Sequence, residues 1–160
     1  MRINVQESDF DEIIIVDDNG EYTTFNLPQE LHVNEYALEQ EYIQQPAKYA
    51  YWASILAKMQ YYLEGSEREL DYTKANLEPQ AREWLRENGT PKPTVSAVES
   101  KIVQDAVYQE KLQKVEAYKY YVDRLKYIVK SFEQRKDMLI QYGAQKRKEK
   151  DYGTGERMQG

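Results

Sequence analysis

Apolar side chains recur at alternating steps of three and four residues through the second half of the chain, between Tyr108 and Leu139. This spacing keeps them on one side of an α-helix, and its near-seven repeat is typical of helices that wind around each other. Such a helix needs an antiparallel partner from its own chain, partners from other chains, or both. We expect the stripe to mediate oligomerisation through Val115, Tyr118, Val122, Leu125, Val129, Phe132 and Leu139.

No Pro or Gly interrupts the run from residue 95 to residue 142, so the pattern predicts one long helix over that range. Thr94 or Ser96 is suited to cap its start, and Ser96 with Glu99 has the spacing of a capping box. Gly143 stands where a helix is expected to stop.

A second long helical segment is predicted upstream, starting behind Asn34 as N-cap and restarting at Pro46. Gly65 and Ser66 could end this helix, with Ser66 and Glu69 as a new capping box, or could lie within one continuous helix towards Asn88, which we favour. Pro79 is expected to bend or break it. The turn sequence at 88–93 is short enough to make the two long segments antiparallel neighbours. The apolar face of this segment is formed by Trp52, Ile55, Leu56, Met59 and Leu63.

A β-hairpin is predicted near the N-terminus, because two β-prone runs at 13–16 and 22–25 flank Asn19-Gly20. Asn-Gly favours a two-residue turn in which both residues have positive φ. Residues 1–12 show no pattern. Since an isolated hairpin is marginal in water, we expect it to pack on the helices or pair with another copy.

These patterns predict a mainly α fold with long antiparallel helices, a coiled-coil-like C-terminal helix and a small N-terminal β-hairpin. Three segments are expected: an acidic segment with the hairpin at 1–33, a helical body at 34–143, and a tail at 144–160 that is basic and then flexible. We expect residues 151–160 to be mobile.

Charge is distributed unevenly along the chain. The formal net charge is −6, but residues 1–45 hold one basic and eleven acidic residues. Residues 111–150 hold twelve basic and five acidic residues, a net of +7. This asymmetry is compatible with self-association, with binding of a polyanion by the helical body, or with ordinary solvated helix faces. The fifteen tyrosines suit packing between helices, which we favour, or base stacking.

Several function classes have no support in the sequence. The chain has no cysteine, and its one histidine, His32, has no carboxylate or cysteine at ligand spacing, so we interpret it as an incidental linker residue. No Gly-rich phosphate loop is present. No apolar run is long enough to span a membrane. We therefore expect a cytoplasmic protein that is not an enzyme, with no catalytic residues, no metal and no cofactor.

From Asn34 the sequence resembles the UvsY family of phage recombination mediators. The pattern is a capping residue followed by Leu at four, Glu at seven, Tyr at fifteen and Trp at eighteen residues on, here Asn34, Leu38, Glu41, Tyr49 and Trp52. A second, looser patch comprises Thr94, Val95 and Ser96, and then Phe132, Arg135 and Ile140. The likeness covers residues 34–143, and leaves out the hairpin and the tail.

The resemblance implies a helical protein that binds single-stranded DNA (ssDNA), forms a closed homo-oligomeric ring, and loads a RecA-like recombinase onto DNA coated by a single-strand-binding protein. Its setting would be the cytoplasm of an infected host cell. The family's Lys-x-Arg element on the first long helix is not reproduced here. The candidate ssDNA-binding residues are Arg68, Lys74, Arg82 and Lys92, and a second possible group is Lys146, Arg147 and Lys148.

Two other functions remain open. One is a structural or adaptor coiled-coil oligomer that binds no nucleic acid. The other is an inhibitor whose acidic N-terminal segment imitates DNA and occupies a basic protein surface.

Overall fold

The computed structural model describes residues 3–155, and confirms a mainly α fold with long packed helices and a small N-terminal sheet. Three strands form one antiparallel sheet in the order β1-β2-β3. The elements are β1 (Ile3–Asp9), β2 (Glu12–Asp17), β3 (Tyr22–Asn26), α1 (Leu27–Leu31), α2 (Leu38–Glu87), α3 (Val95–Val103) and α4 (Ala106–Gly155).

The chain divides into two compact units that differ from the three predicted segments. Unit 1 consists of the residues up to Leu56 together with those from Leu125 onward, and unit 2 runs from Ala57 to Arg124. Helices α2 and α4 contribute to both units. Unit 1 includes both the sheet and the helical residues on which the sheet packs.

The sheet packs on α2 through its inner face, where Val5, Ile13 and Ile15 are buried. The ring of Phe25 in β3 lies 5.1 Å from that of Trp52, in an edge-to-face arrangement. The predicted hairpin is therefore present and packs on the helices. Removing residues 1–33 would therefore expose part of the unit 1 core. Strand β1 was not predicted from the sequence.

The hairpin turn differs from the two-residue turn expected at Asn19-Gly20. Only Gly20 has positive φ, at 81°. The backbone N–H of Asp17 donates to the carbonyl of Glu21 at 2.9 Å, which closes a three-residue loop. The Asp17 carboxylate also accepts the N–H groups of Asn19 and Glu21, at 2.8 and 3.0 Å. A left-handed glycine at the third loop position gives the bulged type of hairpin.

Helix α2 begins at Leu38 and is continuous to Glu87. Asn34 makes a turn before it: its side chain accepts the N–H of Tyr36 at 3.0 Å. The expected continuity at Gly65 is confirmed, but neither Pro46 nor Pro79 ends the helix. Both prolines are exposed, so their rings point away from the packed face. Packing of α2 on α4 within each unit offsets the loss of the backbone hydrogen bonds that proline cannot make.

The predicted single helix from residue 95 to residue 142 is interrupted between α3 and α4. Thr94, and not Ser96, caps α3 by accepting the N–H of Ala97 at 3.2 Å. Asp105 starts α4, since its carboxylate accepts the N–H of Val107 at 2.8 Å. A capping side chain therefore breaks a run that contains neither Pro nor Gly.

Gly143 does not end a helix, because α4 continues to Gly155. The residue is buried, and a Cβ placed there would overlap the hydroxyl of Tyr42 and lie 3.1 Å from its Cζ. That hydroxyl donates a hydrogen bond to the Leu139 carbonyl at 2.5 Å. Gly143 thus permits close approach of Tyr42 to α4. The predicted tail is helical at 144–155, and its residues 156–160 lie outside the described residues.

The apolar stripe of α4 packs within the chain, and its predicted role in oligomerisation stays a prediction. The ring of Phe132 stacks at 6.3 Å on that of Trp52 in unit 1. Tyr118 is half-buried, and Val115, Val122, Leu125, Val129, Phe132 and Leu139 are buried.

Candidate nucleic-acid interface

One face of α2 in unit 2 carries basic and aromatic residues at helical spacing. Lys58, Tyr61, Gly65, Arg68 and Tyr72 follow one another at steps of three and four, which places them along one side of the helix. Tyr61 and Tyr72 are 62% and 71% exposed, and the face lies away from the buried side that contains Met59. Acidic residues flank this set, since Glu64 precedes Arg68 by four residues and Glu69 precedes Tyr72 by three. We call this set the α2 stripe.

Lys58 has an aromatic setting at the beginning of the α2 stripe. Its Nζ lies 5.7 Å from the ring centroid of Tyr61 and 5.5 Å from that of Tyr62. Among the described residues it forms no ion pair with a carboxylate. Such cation–π contacts hold the ammonium group beside the rings and leave its charge uncompensated.

The tyrosine surface continues from α2 onto α4 within unit 2. The ring of Tyr62 lies 6.1 Å from that of Tyr118. Tyr121 follows Tyr118 by three residues on the same side of α4, and its ring contacts that of Tyr120 at 5.5 Å. Tyr120 is exposed, whereas Tyr62, Tyr118 and Tyr121 are half-buried. An exposed tyrosine ring is the kind of surface on which a base stacks.

All four predicted ssDNA-binding residues lie in unit 2, but they differ in availability. Lys74 pairs with Glu99 at 3.2 Å, and Arg82 pairs with Glu78 at 2.8 Å. Their charges are therefore partly neutralised within the chain. Arg68 is exposed on the α2 stripe, and its guanidinium lies 3.9 Å from the position that a Cβ atom on Gly65 would occupy.

Lys92 is also exposed, in the connection between α2 and α3, and lies on no helix. In the part of the chain that is described, neither Lys92 nor Arg68 forms an ion pair. Of the four predicted residues, the structure brings only Arg68 into the α2 stripe.

The second basic group, Lys146, Arg147 and Lys148, lies on the C-terminal part of α4 in unit 1. Its neighbours include acids: Lys146 pairs with Glu149 at 3.9 Å. A hydrogen bond to Tyr142 is the main cause that raises the pKa of Lys146. The Tyr142 hydroxyl donates to Glu35 at 2.7 Å, and this bond lowers the pKa of the Glu35 carboxyl. Of this group, Lys146 is engaged with its own chain, whereas Arg147 and Lys148 are exposed and form no ion pair with another described residue.

Unit 1 contains a buried polar network that the sequence did not reveal. The guanidinium of Arg135, 3% exposed, donates to the side chains of Glu41 and Gln45. It also donates to the carbonyls of Leu31 and His32, at 3.1 and 2.9 Å. Each of the three guanidinium nitrogens thus donates to an acceptor of the same chain, so the network holds the fold together. His32 takes part in these bonds through its backbone carbonyl and not through its imidazole ring.

Among residues 3–155, no group of histidines, cysteines or carboxylates is arranged to hold a metal ion. None of the helices in the same range is long and apolar enough to cross a membrane.

Comparison of the chain with protein-family models, with curated proteins and with solved structures finds no match.

Proposed function

We propose that this protein is a non-enzymatic ssDNA-binding protein, and that the α2 stripe is its principal contact surface. The observation that carries the proposal is the alternation of Lys58 and Arg68 with the exposed rings of Tyr61 and Tyr72. Cations along a helix face neutralise phosphates, and tyrosine rings between them stack on bases without regard to sequence.

Single strands suit this surface better than duplex DNA. In a duplex the base faces are stacked on each other, so tyrosine rings have no free base to contact. A single strand presents both its phosphates and its base faces. We therefore propose stronger binding to single strands than to duplexes of the same length.

The mediator role belongs to the same proposal and rests on the resemblance described above. A protein that binds ssDNA weakly through each copy would bind it tightly as a homo-oligomer, because repeated sites act at high effective concentration. Loading of a RecA-like recombinase onto DNA coated by a single-strand-binding protein would then be the activity of this assembly.

The test is fluorescence anisotropy of a labelled oligothymidylate of about 30 nucleotides, titrated with protein between about 50 and 200 mM salt. Two phosphate contacts, from Lys58 and Arg68, predict a slope of log K against log salt of about −1.4. Arg68→Ala should reduce that slope by about 0.7. The matched control is Arg82→Ala on the same helix, whose charge Glu78 already compensates. Equal effects of the two substitutions, or no binding at low salt, would refute the proposal.

A second candidate is a protein adaptor, and one observation favours it. Residues 57–124 hold eleven basic and twelve acidic residues, so unit 2 as a whole has no excess of positive charge. An adaptor would present the tyrosines of the α2 stripe to another protein. Under this alternative the oligonucleotide produces no anisotropy change at any salt concentration.

A further inference from the structure

We propose that the free edge of β3 binds an extended, positively charged peptide segment of a partner protein, which adds a fourth strand to the sheet. This inference is independent of the ssDNA proposal, because it concerns unit 1 and a protein ligand. Four features of unit 1 support it: the hydrogen bonding of β3, the contrast between the two sheet edges, an adjacent cleft, and the charge of the surroundings.

The hydrogen-bond pattern identifies the free main-chain groups. Asp17 bonds to Glu21, and the N–H of Leu27 donates to the Asp11 carbonyl at 2.7 Å. With the register that pairs Ile15 with Thr23, these bonds direct Thr23 towards β2. The residues that alternate with it, Tyr22 and Thr24, direct their N–H and C=O groups outward. In the described part of the chain, no other strand pairs with this edge.

The two edges of the sheet are protected differently. Strand β1 has a register irregularity between Glu7 and Asp9, and it carries two acidic residues. Bulges and charges are the usual means by which an edge strand avoids pairing. Strand β3 has neither: its five residues are Tyr-Thr-Thr-Phe-Asn, and its register with β2 is regular. The β1 edge is therefore protected against pairing with another strand, and the β3 edge is not.

An apolar cleft of about 230 Å³ lies on the β3 side of the sheet. Its lining comes from β3, α1 and α2, and not from β1 or β2: Phe25, Glu30, Ala47, Lys48, Tyr51 and Trp52. Side chains of a strand alternate between the two faces of a sheet. A strand added beside β3 would direct every second side chain to the inner face, where this cleft can receive an apolar group.

The charge around β3 determines which kind of peptide segment is expected to bind there. Residues 1–45 hold eleven acidic residues and one basic residue, and the turn before β3 contains Asp18 and Glu21. A second copy of β3 would bring two acidic sheets together. A segment that alternates apolar residues with lysine or arginine meets both the cleft and the acids. Main-chain hydrogen bonds then supply affinity, and the alternating side chains supply specificity.

The test uses a synthetic peptide of about ten residues that alternates lysine and valine, a length that matches or exceeds β3. Amide hydrogen exchange by NMR is measured on the full chain with and without the peptide. We expect exchange of the outward Tyr22 and Thr24 amides to slow at least tenfold. The Thr23 amide, already paired with β2, should change little. A peptide with lysines at both ends and a central run of consecutive prolines, which has no N–H group on either edge of that run, should have no such effect.

Two variants test the edge and the charge separately. Thr24→Pro removes an outward N–H at a position where an edge strand tolerates proline, and it should weaken peptide binding at least tenfold. Glu21→Lys should also weaken binding, while Glu64→Lys, the same charge change on exposed α2, should not. If Thr24→Pro disturbs the environment of Trp52, the comparison of peptide binding by Glu21→Lys and Glu64→Lys tests the proposal instead.

Three results would overturn the proposal. The first is unchanged exchange at Tyr22 and Thr24 at saturating peptide. The second is equal binding of the peptide with the central proline run. The third is protein-only dimerisation that Thr24→Pro abolishes, because the occupant would then be a second copy.

Discussion

The guanidinium of Arg135 forms an ion pair with the carboxylate of Glu41 inside unit 1, ninety-four residues apart in the chain. Burial alone would raise the pKa of Glu41, but the hydrogen bond from the Asn34 N–H and the bonding and charge of Arg135 lower it below its ordinary value. The pair fastens α2, α4 and the segment before α2 to one another. Removal of this pair should therefore lower the free energy of unfolding of unit 1.

Replacing Arg135 with Met should destabilise unit 1 by about 3–5 kcal/mol, because Glu41 would remain buried without its cation. Urea denaturation of a Trp84→Phe background measures this, since Trp52 is then the one tryptophan and lies in unit 1. Lys130→Met, an exposed cation on the same helix, is the control and should change stability by less than about 0.5 kcal/mol. A loss no larger than that of the control would contradict the role of the pair.

The depressed pKa of Glu41 predicts a specific acid sensitivity. A carboxyl whose folded pKa lies below its unfolded value stabilises the fold above the unfolded pKa, and this contribution disappears as pH falls through the folded pKa. Thermal stability of unit 1 should thus decrease as pH falls below the ordinary value of 4.5. In Glu41→Gln the decrease should be smaller, although the variant is less stable at pH 7. Parallel curves of melting temperature against pH for the two proteins would exclude Glu41 as a cause.

Long helices and a hairpin were predictable because their signals are local. The spacing of Val115 to Leu139 indicates a helix, and the runs around Asn19-Gly20 indicate a hairpin. The Arg135 network was not predictable, since its partners are distant in sequence and a lone arginine on a helix is ordinarily exposed. Gly143 was misread because a glycine that permits packing has the same local context as one that ends a helix.

The candidate site was predictable only in part. Arg68 was identified from composition, but Lys58, Tyr61 and Tyr72 were not. The signal available in the sequence was the spacing of Lys58, Tyr61 and Tyr72, which places them on the helix face opposite Met59. The ion pair of Lys74 with Glu99 could not be predicted, because it depends on where α3 packs.

Gly143→Ala should destabilise unit 1 by about 1–3 kcal/mol, the usual cost of overpacking. Intrinsic helix propensity favours the opposite, since Ala is better than Gly in a helix by about 1 kcal/mol. A double-mutant cycle with Tyr42→Phe separates the two effects, because Phe lacks the hydroxyl that the new methyl group meets. We expect Gly143→Ala to cost less in the Tyr42→Phe background. Equal costs in both backgrounds would show that the hydroxyl is not the obstacle.

Val122→Asp and Leu125→Asp should impair folding and not merely dissociate an assembly. Both side chains are buried within the chain, and an unpaired carboxylate there is costly to desolvate. Circular dichroism and mass in solution, measured on the same samples, distinguish the outcomes. We expect reduced helicity or a much lower melting temperature. A variant that keeps wild-type helicity and stability but has a smaller mass would support the predicted role of the stripe as an interface between subunits.

The most direct measurement of the ssDNA proposal compares Tyr61→Ala with Tyr127→Ala in the oligothymidylate anisotropy titration. Both tyrosines are exposed on long helices, at 62% and 69%, but Tyr61 belongs to the α2 stripe in unit 2 and Tyr127 to unit 1. Loss of one stacked base should weaken binding by about 1–3 kcal/mol in Tyr61→Ala, and Tyr127→Ala should bind as the wild type does. Equal affinities of the two variants, or no binding by the wild-type protein at low salt, would contradict the proposed function.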